Sequence, residues 1–462
     1  MIARRAIALR LAPLALLMAG CALRPEPVDP PPPSPPAWRE AVSQGAWPSR
    51  DWWRNFGSTE LDSLVAEAEK DNDDLAAAEA RVHEADGQAR IAGAALLPSV
   101  SVGAAPYATQ HLSPAGKERR YQDFSGAIQA SYEIDFWGKN RAARDAARSD
   151  AKAAVYDRQV VDLTIVSGVA STYFQLLSLR EQLATAEADV AQARKLLADV
   201  QDMERGGLAT QTQVVQQQSV VDTVAEQIAP LREQGAHALD ALAILVGRSP
   251  ESMQVKAQSL AGIKIPTPAA GLPSELLAHR PDVQAAEQRL AAARANITVA
   301  RAQFLPDFNL SASAGVEAMA MGGGMIGPEM LYNLAFSAVQ PIFEGGKLKG
   351  QLQLSRAQRA EMLADYIKAT RQSFADVEDA LASVRATNEE EQTDQRALEE
   401  ADASLGLTQT SFEGGVTGSM PVLSAESATF PGRLAVLQAH AARLQSMVIL
   451  YRALGGGWDV PA

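Results

Sequence analysis

"SGAIQASYEIDFWGKN", residues 125–140, is the stretch on which the fold turns. From Ile128 to Phe136 it alternates. Ile128, Ala130, Tyr132, Ile134 and Phe136 are apolar or small, and Gln129, Ser131, Glu133 and Asp135 between them are polar. A period of two marks a strand with one dry and one wet face. Directly after Trp137 and Gly138 comes an Ala-, Asp- and Arg-rich stretch with no strand character. A two-faced strand inside an otherwise helical chain must find a place for both faces.

Working outward, the same unit is written twice. Pro98 matches Pro306, Gly138-Lys139 matches Gly346-Lys347, Gly206-Gly207 matches Gly414-Gly415, and Gly247 matches Gly455, each pair 208 residues apart. A constant offset over a whole unit indicates internal duplication. The repeats span 59–247 and 265–455, joined by a linker at 248–264 and followed by a tail at 456–462. Each repeat reads as an entry helix, two strands, a very long helix, a Gly-Gly turn and a returning helix. The strands are expected at 99–108, 125–136, 307–317 and 331–343. In the third, Leu310, Ala312, Ala314 and Val316 alternate with Asn309, Ser311, Ser313 and Gly315. About ten residues at ~3.3 Å each, tilted, cover the ~25 Å apolar band of an outer-membrane barrel. "QHLSPAGKERRYQD" and "AMAMGGGMIGPEM" read as surface loops.

Four strands cannot close a barrel, and open edges are not tolerated in lipid. Other copies of the chain must complete the sheet: two would give a plugged barrel, three an open twelve-stranded one. Ile128, Tyr132, Ile134 and Phe136 then face lipid, Gln129, Ser131, Glu133 and Asp135 face a water-filled lumen, and Trp137 belongs to the interfacial aromatic belt. The alternative is a soluble β-sandwich edge.

The stretch 139–203 contains no Pro and would run ~98 Å as one helix. Val169, Leu176, Leu183, Val190 and Leu197 recur every seven residues, flanked by Thr172, Leu179, Ala186, Ala193 and Val200. This is a heptad seam with a row of small residues that lets helices approach closely. Gly206-Gly207 supplies the positive φ needed to reverse the chain. The return helix is expected at 208–246 and the second entry helix at 273–302.

The ends bound the compartment. "MIARRAIALRLAPLALLMAGC" has Arg4, Arg5 and Arg10, then an apolar run too short to span a bilayer. Residues 1–20 read as a lipoprotein signal peptide, with Cys21, the chain's single cysteine, as the lipidated residue. The alternative is an ordinary secretory signal with an incidental Cys. Residues 21–58 read as a lipid-anchored Pro-rich tether that is extended and does not pack. The full chain carries a net charge of −13, and losing the signal's three arginines takes it to −16. That excludes nucleic acid as an expected partner. The longer apolar stretches beyond the signal carry charges, so membrane entry is expected by strands.

Catalysis finds little support. His83, His111, His237, His279 and His440 are scattered, and no P-loop, G-x-S-x-G or Cys-x-x-Cys occurs. The glycines of "GGGMIG", 322–327, lie between two strands rather than before a helix. No enzyme activity, cofactor or metal is expected. Glu389, Glu390 and Glu391 read as a solvated helix face. Glu391 and Asp394 fall on the seam, which leaves open a role toward a lumen or a partner.

Taken together, "DWWRNFGSTELDSLVAEAEKDNDDL", "YEIDFWGKNRAARDAA", "LPSELLAHRPDVQAAEQRLAAARANITVARAQFLPDFNLSASAG", "PIFEGGKLKGQLQLSRAQRAE" and "LYRALGGGW" resemble the outer-membrane efflux proteins of the TolC/OprM family. The branch they resemble is that of the NodT-type lipoproteins of resistance-nodulation-division pumps. The resemblance covers nearly the whole mature chain. It implies a mainly α fold with a membrane β-barrel: a trimeric twelve-stranded barrel, four strands per chain, continued by a long periplasmic α-helical barrel. It also implies a periplasmic adaptor protein, an inner-membrane resistance-nodulation-division transporter, and export of drugs or other small toxic molecules. A type I protein-secretion duct and a non-transporting envelope spacer are the alternatives.

The resemblance further implies that the hairpin tips, Gly206, Gly207 and Leu208 with Gly414, Gly415 and Val416, dock the adaptor. Plain chain reversal is the simpler role for the glycines. Relatives carry a Leu, an Asp four later and an Arg three beyond that as the periplasmic gate. Here those positions hold Met420, Ser424 and Ser427, with Glu426 as a substitute carboxylate. Pro431-Gly432 follows, where a helix is expected to kink, and Pro230 marks a different height in the first repeat. The expected gate is held by packing and helix bending more than by ionic links, with conductance depending weakly on pH.

Overall fold

The computed structural model describes residues 23, 26–29, 32–39, 47–112, 118–268, 270–321 and 324–457. The signal segment, Cys21 and the last five residues lie outside the described residues. In chain order the elements are α1 (Thr59–Asp71), α2 (Asp73–Ala94), β1 (Ser99–Leu112), β2 (Glu118–Ile134), α3 (Lys139–Arg205), α4 (Gln211–Ala225) and α5 (Ile228–Leu245). The second repeat follows with α6 (Pro273–His279), α7 (Pro281–Ala302), β3 (Asp307–Met321), β4 (Gly324–Val339), α8 (Lys347–Glu413) and α9 (Ser419–Ala453). The 208-residue offset recurs in the folded chain: α1 and α6 end, β1 and β3 start, and α3 and α8 start and end at equivalent positions.

Contacts divide the chain into two units. The first holds the sheet, with residues 81–155 and 285–367. Its four strands pair antiparallel in the order β1-β2-β3-β4. The register aligns one face as Val100, Ala130, Ala312 and Leu334, with Val102, Ile128, Ala314 and Tyr332 beside them. The other face aligns Ser101, Gln129, Ser313 and Asn333. The alternation read from one strand thus holds across all four, because a correct register keeps like faces together. The strands have 14, 17, 15 and 16 residues, longer than expected. Most of the two stretches read as loops is in fact hairpin ladder. Polar side chains do not stop a ladder from continuing, since its stability lies in backbone pairing.

One lumen and one lipid assignment also need correction. β2 ends at Ile134, so Asp135 and Phe136 lie beyond it. Asp135 accepts from the backbone N–H groups of Asn140 and Arg141 at 3.0 and 2.9 Å, satisfying open donors at the start of α3. Glu133 and Asp307 share the Lys139 ammonium at 2.6 and 2.9 Å. These carboxylates build the strand-to-helix corner. Trp137 donates its indole N–H to the Pro306 carbonyl at 2.7 Å and packs edge-on against Phe136, with Phe308 nearby.

The second unit is helical, with residues 32–80, 156–284 and 368–457 among those described. The seam behaves as its spacing predicts: Val169, Leu176, Leu179, Ala186, Val190, Ala193, Leu197 and Val200 are all buried. One 18-residue window of α3 is apolar enough to cross a membrane by length and composition, with no more than two charged residues in it. Half of it is buried, which accounts for its hydropathy as helix packing. The entry helices break at Asn72 and at Arg280, just before Pro281. The first return helix breaks near Pro230, whose missing N–H leaves a carbonyl unbonded one turn back. By contrast α9 carries Pro431 and Gly432 within one continuous helix.

The tether reading is overturned for much of 21–58. Trp38 is buried against Phe374 and donates to the Gly271 carbonyl at 3.0 Å. Trp52, Trp53 and Phe56 belong to the main apolar core with Phe174 and Tyr451. Burying side chains of this size stabilises by ~1.5–3 kcal/mol each, which outweighs the extended preference of the prolines that precede them. The inter-repeat linker is equally fixed. Glu60 accepts from the backbone of Lys256 and Ala257, and Arg180 donates to the Val255 and Ala257 carbonyls.

Candidate functional site

The hairpin tips belong to the helical unit. At the first, Leu208 N–H reaches back to the Met203 carbonyl at 2.8 Å across Gly207, whose φ is +74°. At the second, Val416 N–H bonds the Ser411 carbonyl at 2.9 Å across Gly415, φ +68°. Both are Schellman caps, in which the left-handed residue is almost always Gly. Leu208 and Val416 stand 77% and 80% exposed at their apices. The tips differ one step on. Thr210 and Gln213 form a reciprocal capping box at the start of α4, whereas α9 begins at Gly418 with no side-chain cap.

Behind the second tip, Met420, Ser424 and Ser427 are exposed on α9, and Ser427 donates to the Leu423 carbonyl of its own helix. Glu426, the candidate substitute carboxylate, is fully buried instead. Its Oε2 accepts from Gln217 Nε2 of α4 at 3.3 Å. Val422 and Ala425 pack with Leu196, Val200 and Leu405, and Phe430 packs with Val190, Ala193 and Val221. Glu426 therefore occupies an inward position between apolar neighbours. Pro431 lies one turn further, exposed, and Gly432 lies beside Leu398.

Sequence reasoning missed the ionic links in this region. Arg433 of α9 pairs with Asp189 of α3 at 2.6 Å and with Asp402 of α8 at 3.1 Å, and Asp189 is 2% exposed. One guanidinium thus ties three helices. Higher on the same pair of helices, Glu391 takes Arg443 at 2.7 Å and His440 at 2.5 Å. Burial opposes ionisation of Glu391, but bonds to Arg443 and His440 outweigh it and hold the carboxyl below its usual range. These ionic links lie between helices of one chain, beside the expected gate positions. A polar residue next to the seam, such as Asp189 beside Val190, was the available signal. Charge pairing between helices distant in sequence has no local periodicity. Among the described residues no cluster of three or more His, Cys, Asp or Glu could hold a metal.

Paired antiparallel strands with segregated faces, followed in each repeat by a 67-residue helix and a Gly-capped tip, define an outer-membrane channel of the efflux class. The chain belongs to the outer membrane efflux protein family, whose model matches residues 64–248 and again 272–456. It is similar to the pyoverdine export outer membrane protein OpmQ of Pseudomonas aeruginosa, 38% identical over 455 residues, covering 96% of this chain and 95% of that one. It is also similar to the toluene efflux pump outer membrane protein TtgF of Pseudomonas putida, 30% identical over 467 residues and 96% of each chain. Among solved structures the outer-membrane channel OprN superposes with a TM-score of 0.86 at 23% identity, covering 93% of this chain and 99% of that one. The protein is an outer-membrane efflux channel and not an enzyme. Channels of this family are trimers with a β-barrel and a long α-barrel, and they work with adaptor and inner-membrane pump partners.

Proposed function

We propose that three copies of this chain form the exit duct of a tripartite pump of the resistance-nodulation-division type, lipid-anchored at Cys21 in the outer membrane. The duct passes small organic molecules, drugs and other toxic compounds among them, from the periplasm to the exterior. The observation that carries this reading is the sheet. β1 and β4 each pair on one side only, and one face is apolar or small from Phe124 to Ile134 and across the positions that pair with them. Unpaired edges in lipid cost several kcal/mol per exposed group, so three copies closing twelve strands is the economical completion. The names of the similar proteins support small-molecule cargo over secreted protein, with an exported metabolite of the pyoverdine kind beside toxic solvents.

Four measurements test the parts separately. Light scattering of detergent-extracted protein should give three chains, and a stable monomer with full sheet content would overturn the closure argument. A palmitate analogue should label the wild type and not Cys21→Ser, while trimers survive. Leu208→Asp with Val416→Asp should abolish cross-linking to the adaptor while leaving trimers intact. Unchanged cross-linking would place docking away from the tips. Deleting the gene should raise intracellular retention of the pump's cargo, and an unchanged cargo profile would remove the export assignment.

A further inference from the structure

Glu426 is a carboxyl with nowhere to put its charge. Its exposure is 0%, and it lies on the first four turns of α9, directly behind the tip. Gln217 of α4 donates to one oxygen, but that same amide also serves the Ala193 carbonyl at 3.2 Å. The second oxygen, Oε1, has no hydrogen-bond partner. The groups facing it come from three helices. α3 presents Asp189 and the Gln192 amide, α4 presents Gln217, and α9 presents Arg433. Arg433 is itself held by Asp189 and by Asp402 of α8, so its charge is already shared between two carboxylates. An isolated ionised carboxylate in such a place carries a large desolvation cost, whereas a neutral acid carries little.

We propose that Glu426 is a protonation latch of the tip. Packed as observed, α3, α4 and α9 keep its carboxyl neutral, and ionisation parts α9 from α3 and α4 so that water reaches the group. The proposal rests on the channel reading and adds to it a control that the exposed Ser424 and Ser427 cannot supply. Burial is the largest influence on this carboxyl and pushes its pKa above the ordinary glutamate value. Asp189 adds to the rise, while Gln217, Gln192 and Arg433 work against it. The sign follows from linkage. The packed state binds the proton more tightly than the parted one, so low pH favours the closed tip and rising pH favours opening. The equivalent position in the first repeat is Gln218, exposed and bonded to Asp222 within its own helix. The latch is therefore confined to the second repeat's tip, which also lacks the side-chain cap of the first.

The test uses the full-length protein in planar bilayers between pH 4 and 8, beside Glu426→Gln, which keeps the size of the side chain and cannot ionise. Wild-type resting conductance should rise with pH, about tenfold for each pH unit separating the packed and parted pKa values. The Gln variant should stay at the low-pH level throughout. A flat wild-type profile, or a Gln variant that follows the wild type, overturns the latch. Hydrogen exchange supplies a readout independent of conduction. At pH 8 the amides of 419–430 should exchange faster in wild type than in Glu426→Gln, and at pH 5 the two should agree. Equal exchange at both values overturns the latch while leaving the channel intact. Failure of both proteins to conduct at any pH, with both forming trimers, would instead remove the channel reading on which the latch rests.

Discussion

Asn72 and Arg280 stand 208 residues apart and do the same work with different chemistry. Asn72 Nδ2 donates to the Leu245 carbonyl at 2.9 Å, and Arg280 Nη1 donates to the Ala453 carbonyl at 3.1 Å. In each repeat the break in the entry helix is thereby tied to the end of the returning helix. Beside each tie a glycine completes the joint. Gly247 and Gly455 have φ of +76° and +90°, and a Cβ on either would collide with the carbonyl of Asp71 or His279.

Gly247→Ala and Gly455→Ala should both destabilise the protein strongly. The left-handed backbone alone costs ~1–2 kcal/mol for an L-residue, and the collision adds to it. Gly406→Ala is the contrast. It lies inside α8 with open space around the added carbon, and removing a helical glycine should stabilise by ~0.5–1 kcal/mol. Thermal unfolding of the three variants reads the difference. Similar melting temperatures for Gly455→Ala and wild type would show that the joint tolerates a side chain.

Glu391 should make stability depend on acid. Its carboxyl is held below the ordinary range by Arg443 and His440, so the stabilisation is present above the unfolded value and disappears as pH falls through the folded one. Glu391→Gln should lower stability at pH 7 by about 1 kcal/mol. The gap should close below about pH 4. Melting curves at the two pH values decide it, and an equal gap at both would assign the loss to packing.

Asp162 has the opposite sign. It lines a cavity with Glu69, Arg158, Gln159 and Arg50. Burial raises its pKa, and Asp162 in turn adds to the rise at Glu69, whose first cause is also burial. A raised carboxyl costs stability as pH climbs from the unfolded value through the folded one. Asp162→Asn should therefore raise the melting temperature at pH 7 and leave it unchanged at pH 4. A fall at pH 7 would mean that pairing with Arg158 and Arg50 outweighs the burial cost.

The two faces of the sheet should respond unequally to charge. Ile128 and Gln129 are neighbours on β2 that point to opposite faces, in registers with Ala314 and Ser313. Ile128→Lys should impair membrane insertion, since a lysine facing mid-bilayer lipid costs ~2–4 kcal/mol. Gln129→Lys should insert normally and alter ion selectivity. Heat-resistant trimers on gels and single-channel reversal potentials provide the readouts. Equal insertion of both variants would contradict the assignment of faces.

The sequence by itself determined the elements and their repetition. Alternation at Ile128–Phe136, the seam from Val169 to Val200, the glycine pairs at 206 and 414 and the 208-residue offset are all local or periodic. The forces behind them, side-chain direction and φ preference, act within a few residues. Tertiary structure decided what depends on neighbours remote in the chain. Pro230 accompanies a break while Pro431 lies within one continuous helix, next to the buried Thr429 and Phe430. Trp38 and Trp47 turned part of a proline-rich leader into packed structure by meeting Phe374 and His279 more than 230 residues away. Glu426 was legible as a carboxylate near the gate, but its burial came only from the convergence of α3, α4 and α9. Whether a charged side chain meets water is settled by what packs over it, and no spacing within its own helix carries that information.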